Sequence, residues 1–158
     1  MKIIKPKALK PGDTLGIVAC STPISASTNT TIQQAYDYLK KRGFHLIEAP
    51  NCRKLIGHSA GTIKERASAL QGFFKNTKID GILSYWGGYQ SHQLLEYLDF
   101  HVIKKNPKPF IGFSDTTALT VGIFSQTGLV SFSGPAGITF GKPVVPDFTW
   151  KHFKNILM

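Results

Sequence analysis

The residues best suited to chemistry stand in the run Phe110-Ile111-Gly112-Phe113-Ser114-Asp115-Thr116-Thr117. An apolar strand enters a turn of small residues, and a helical pattern opens behind it. That arrangement lifts the Ser114 hydroxyl off the end of a sheet. The backbone N–H groups that follow favour negative charge, such as the oxyanion of acyl transfer. Thr116 occupies the last position of the familiar Gly-x-Ser-x-Gly elbow, so the motif is not the usual hydrolase one. A plainer reading competes, because Ser114 and Asp115 are both favoured N-cap residues. The second candidate is Trp86-Gly87-Gly88, with Ser91 close behind. Its glycines could serve a tight turn alone, or let backbone N–H groups reach a substrate carbonyl. Trp86 could anchor a core or wall a pocket.

Both motifs need a scaffold, and the periodicities supply one. Thr14 to Cys20 reads as an apolar strand. Ile32, Ala35, Tyr36 and Leu39 then mark one helical face, closed by Gly43. Phe44 to Ile47 is a second strand; Ile63, Ala67, Leu70 and Phe74 mark a second helix. Ile79 to Tyr85 is a third strand, with a helix from about Ser91 carrying Leu94, Leu95 and Leu98. Phe110 to Phe113 is a fourth strand, Thr116 to Gln126 a helix ended by Gly128, and Leu129 to Phe132 a fifth strand. This alternation implies an α/β fold: a doubly wound parallel sheet with helices on both faces, a flavodoxin-like or Rossmann-like three-layer sandwich. Ligands bind such sheets beyond the carboxyl ends of the strands, where both motifs fall. From Gly134 onward, Pro and Gly are dense, and Asp147 stands ready to cap a last helix. Residues 1–134 are expected to form the domain bearing the nucleophile, and 135–158 a linker to something further.

Composition narrows the classes. The 158 residues are 42% hydrophobic and 11% aromatic, which fits a folded domain with a real core. No run approaches a membrane span, and the basic N-terminus lacks the apolar segment of a signal peptide. No membrane role is expected. Cys20 and Cys52 are too few for a disulfide framework, so a cytoplasmic location is expected. No metal site and no cofactor are implied, since neither ligand spacing nor a dinucleotide-binding glycine motif is present. The net charge of +10 is spread along the chain without a nucleic-acid signature, so no nucleic-acid partner is expected. Glu65 and Arg66 read as ordinary exposed helix charges. His92 alone among five histidines lies near the Gly-Gly turn, and it reads as solvent-facing.

The chain resembles the serine peptidase family that contains the LD-carboxypeptidases and the microcin immunity proteins. The matching segments run collinearly from Leu9-Lys10-Pro11-Gly12-Asp13 through Ala60-Gly61-Thr62 to Arg66. They continue in Trp86-Gly87-Gly88-Tyr89-Gln90-Ser91, Pro107 to Asp115 and Gly134-Pro135. Trp86 brings it closer to the immunity branch, since LD-carboxypeptidases typically carry arginine there. The resemblance implies that Ser114 is the nucleophile and that the Gly88 and Asp115 N–H groups form the oxyanion hole. Trp86, Gly87 and Ser91 would line the substrate, a small peptide or peptide–nucleotide conjugate. The reaction would be hydrolysis of a C-terminal amide bond in muropeptides or peptidyl-adenylates. The family's glutamate and histidine come from a C-terminal domain beyond this chain. The chain is therefore expected to fold, to be inactive alone, and to form a homodimer through the apolar surface left open. Two other classes remain: a non-catalytic domain holding a small anion, and a basic nucleic-acid-binding domain.

Overall fold

The computed structural model describes residues 2–158. Five strands, β1 (Thr14–Val18), β2 (His45–Glu48), β3 (Gly81–Ser84), β4 (Phe110–Gly112) and β5 (Phe132–Ser133), form one sheet in the order β2-β1-β3-β4-β5. Every neighbouring pair is parallel, with Leu15 opposite both Leu46 and Gly81, and Ile82 opposite Phe110. β3 and β4 are buried along their whole length, which explains their unbroken apolar runs. The five α-helices are α1 (Asn29–Lys41), α2 (Ile63–Lys75), α3 (Phe100–Lys105), α4 (Thr117–Thr127) and α5 (Asp147–Leu157). α1 and α5 share one face, where Tyr38 meets Trp150 at 6.2 Å and Phe44 meets Phe153 at 6.4 Å. α2, α3 and α4 pack on one another across the other face. The doubly wound α/β sandwich expected from the alternation is present.

Local chemistry starts the first two helices. Thr28 Oγ1 accepts the Thr31 N–H at 3.1 Å to open α1. α2 opens with a complete capping box: Thr62 Oγ1 accepts from Glu65 N at 3.2 Å, and Glu65 Oε2 from Thr62 N at 2.8 Å. Glu65 also pairs with Lys54 at 2.6 Å.

The structure departs from the periodicity in four places. β1 stops at Val18, which frees Ala19 and Cys20 to lead into a loop at the carboxyl edge. The segment from Ser91 is a 3-10 turn to Tyr97, and α3 follows it as a separate helix capped by Asp99. Six residues are too few for α3 to show a face. The fifth strand begins at Phe132 because Val130 is taken by the N-terminal segment, its N–H bonding Ile4 C=O at 2.9 Å. Asp147 is the first residue of α5 rather than its cap. The stretch after Gly134 is also well packed here, for Phe140, Phe153 and Leu157 lie in the same core as the sheet.

Phe74, fully buried, stacks edge-on against Phe110 at 6.3 Å. Phe74→Ala is expected to cost about 3–5 kcal/mol, read as a lowered urea midpoint. The bond from Lys54, then those with Thr62, hold the Glu65 carboxyl at about 2. Its folded value lies below the unfolded one, so its contribution is present above the ordinary glutamate range and lost as pH falls toward that value. Glu65→Gln should flatten the acid limb of the stability–pH curve between about 2 and 5.

Candidate active site

β4 ends at Gly112, Phe113 is extended, and Ser114 then adopts φ +60°. Ser114 is the only non-glycine with positive φ among the described residues. For an L-residue this conformation costs about 1–2 kcal/mol. It turns the exposed hydroxyl away from the sheet at the mouth of a 3-10 turn, Ser114–Thr116, that runs into α4. Capping does not account for it. No side chain caps the 3-10 turn or α4. The Asp115 carboxylate leaves its own helix instead, and both oxygens accept the Ser91 N–H at 3.2 Å. Ser91 Oγ returns the contact, donating to Asp115 C=O at 2.6 Å. Beneath them, Ser84 Oγ lies 3.0 Å from Thr116 Oγ1 and donates to Trp86 C=O at 3.0 Å.

The Gly-Gly turn is held against the loop that follows β1. Thr22 N–H donates to Gly87 C=O at 3.1 Å, and Ser21 Oγ accepts from Tyr89 N and Gln90 N, each at 3.1 Å. Gly88 has φ +147°, and a Cβ there would strike Ser21 Oγ and come within 2.8 Å of Thr22 Oγ1. A Cβ on Gly87 would lie 3.5 Å from Ser114 Oγ and 3.4 Å from Asp115 N. The bare face of Gly87 therefore opens onto the Ser114 hydroxyl. Tyr89, Gln90 and Ser91 N–H groups are all satisfied, whereas those of Gly88 and Asp115 have no protein acceptor among the described residues. The turn needs Gly88 for its backbone conformation, and Gly87 leaves space beside the hydroxyl.

A cavity of about 370 Å³ joins these parts, lined by Thr22, Trp86, Gly87, Gly88, Tyr89, Phe113, Ser114, Ala136 and Ile138. Of the expected site residues, Ser114, Trp86, Gly87 and Gly88 face it, and Trp86 is also packed on the core. Ser91 does not reach the cavity: it is fully buried and its hydroxyl is spent on Asp115, in place of the substrate contact expected for it. The lining holds no histidine, lysine or carboxylate. His92 is exposed and outside it. On the other side of Phe113, an apolar groove of about 520 Å³ runs between β5 and α5, past Phe148, His152 and Ile156.

Arg66 corrects the sequence reading. It is 2% exposed rather than a surface charge. Nη1 donates to Cys20 C=O at 2.8 Å and Gln90 C=O at 3.2 Å, and Nη2 to Gln93 Oε1 at 3.0 Å. Burial pushes its guanidinium below the ordinary value. The signal was available: Arg66 shares a helical face with Leu70 and Phe73, at i+4 and i+7, where an exposed charge does not belong.

Relieving the backbone of Ser114 gives a direct test of the strain. Ser114→Gly is expected to raise stability by about 1 kcal/mol, read as an upward shift in the denaturant midpoint, while removing the hydroxyl.

Residues 15–134 match the family described as the LD-carboxypeptidase N-terminal domain. A putative carboxypeptidase of Vibrio cholerae is 39% identical over 96% of this chain and 46% of its own length. The microcin self-immunity protein MccF of Escherichia coli is 40% identical over 92% of this chain and 43% of its own. An MccF-like protein of Bacillus anthracis superposes with a TM-score of 0.96 at 33% identity, covering 98% of this chain and 47% of that one. Solved MccF structures include complexes with aspartyl sulfamoyl adenosine and glutamyl sulfamoyl guanosine, and an active-site variant with a serine, an asparagine and a lysine replaced by alanine. The chain spans about half the length of the curated relatives it matches. By sequence and fold alike, it belongs to the LD-carboxypeptidase family and carries that family's N-terminal domain.

Proposed function

We propose that this chain is the nucleophile-bearing part of a serine carboxypeptidase that cleaves a C-terminal amide bond of a muropeptide or a peptidyl-nucleotide. The observation that carries the reading is a strained, exposed serine that shares a cavity with Gly88 and precedes Asp115, two residues whose N–H groups have no acceptor among the described residues. Ser114 Oγ attacks the carbonyl carbon and yields its proton to a base. The new oxyanion accepts from Gly88 N–H and Asp115 N–H, the amine leaves with the proton the base had taken, and water hydrolyses the acyl ester to release the acid and restore the Ser114 hydroxyl. A cavity lining without histidine, lysine or carboxylate leaves the base to other residues. The family resemblance assigns that role to the glutamate and histidine of a C-terminal domain, for which the apolar groove beside Phe113 offers a seat.

The MccF complexes with aminoacyl sulfamoyl nucleosides support the peptidyl-nucleotide class. So do two of the three aromatics at the cavity, half-buried Trp86 and Tyr89, the latter 91% exposed and ready to lie against a planar group. The family's own description favours peptides with an LD bond. The serine replaced in the MccF active-site variant supports the role given to Ser114. Buried, unpaired Cys20 and Cys52 suit a reducing cytoplasm.

The missing base also favours a second reading, in which the cavity binds a small carboxylate or phosphate without reaction. Assaying the full-length gene product on LD-tetrapeptides and on aminoacyl-adenylates separates the readings. Turnover of either is expected, and Ser114→Ala should lower kcat by at least about 10³-fold. Undiminished turnover in the variant would overturn the role of Ser114. Anion binding with no turnover would establish the binding module.

A further inference from the structure

The mechanism above leaves Arg66 unused, although the fold places it directly behind the site. Its bonds end on the two loops that build the cavity. Cys20 C=O is the residue before Ser21, Gln90 C=O closes the Gly87–Gly88 turn, and Gln93 Oε1 lies on the 3-10 segment beyond it. No carboxylate bonds the guanidinium, and Nε has no acceptor among the described residues. Burying a cation against neutral acceptors alone is unfavourable. Core packing is therefore a poor reason for its presence, since an apolar side chain would fill the space at lower cost.

The bonds themselves give a better reason. Gln90 is gripped at both ends of its backbone: Ser21 Oγ takes its N–H and Arg66 takes its C=O. Arg66 also holds the carbonyl of the residue next to Ser21, so one planar fork fixes the distance between the loop after β1 and the turn after β3. Ser91 N–H, next in the chain, is fixed to Asp115. Gly88 N–H stands two residues before this grip, and the Gly87 carbonyl of its own peptide unit accepts from Thr22 N–H, on the same loop that Arg66 holds through Cys20.

We propose that Arg66 is a positioning residue that sets the direction of the Gly88 N–H donor, acting through the carbonyls of Gln90 and Cys20 and never touching substrate. The inference rests on the hydrolase reading, and its test contains one arm that does not.

Arg66→Met, Arg66→Lys and Gln93→Ala are made in the full-length protein and compared by two measurements. The first is amide hydrogen exchange at Tyr89, Gln90 and Ser91, independent of any activity. Exchange there should quicken about tenfold or more in Arg66→Met, less in the other two, with β3 amides unchanged. The second is the division between kcat and KM. Loss of an aligned oxyanion donor should lower kcat about 10²-fold with KM within about threefold, and Arg66→Lys should recover part of that loss. Unchanged exchange in a folded Arg66→Met would overturn the proposal. Should that variant not fold, unchanged exchange in both Arg66→Lys and Gln93→Ala does the same. A rise in KM at constant kcat would overturn the donor role. Absence of turnover in the wild type on every substrate would defeat the hydrolase reading alone, leaving the exchange result to judge Arg66.

Discussion

Ser91 and Asp115 bond to each other in both directions, main chain to carboxylate and hydroxyl to main-chain carbonyl, and these contacts set how the turn after β3 stands to the elbow after β4. The two unspent donors belong to those two segments. Oxyanion stabilisation depends on donors fixed before charge develops, because reorganising them during the reaction forfeits most of the gain. In the function proposed here the Ser91–Asp115 pair would supply that fixity, and the bond between Ser84 and Thr116 braces the pair from below. The strain at Ser114 is held by the same brace, since a serine at φ +60° would relax if its surroundings allowed it.

The sheet order explains why such a place exists. Between β1 and β3 the winding reverses: the chain leaves β1 toward the face of α1 and leaves β3 toward the face of α2 and α4. The two loops diverge and leave a crevice at the carboxyl edge. Ser21 and Thr22 stand on one side of it, Gly87 and Gly88 on the other, and β4 delivers Ser114 beside them. A parallel sheet is what lets three strands deliver loops to one edge.

Most of this architecture was legible in the sequence because it rests on local signals. Apolar runs marked the buried strands, the spacing of Ile63, Ala67, Leu70 and Phe74 marked α2, and Gly112 to Asp115 marked the elbow. What stayed hidden was non-local. Val130 reads as strand until Ile4 is known to pair beside it. Ser91 reads as a substrate contact until the Asp115 carboxylate is found on its N–H and its hydroxyl on the Asp115 carbonyl. Arg66 reads as a helix charge unless its face is checked against Leu70 and Phe73, and even then the partners at Cys20 and Gln90 cannot be named. Nor could the cap reading of Ser114 and Asp115 be dismissed, because the same residues suit both roles and only φ and bond direction separate them.

The bonds that build the site span wide gaps along the chain. Tyr89 is 68 residues from Ser21, Arg66 46 from Cys20, and Ser91 24 from Asp115. The sheet spans the same gaps, with Leu15 paired to Gly81, so the site can close only together with the strands that carry its loops. The helices can flicker into being on local cues, but none of them holds two of the three linkages. Folding order thus becomes a safeguard: a half-formed chain displays every residue of the site in sequence and none of it in space.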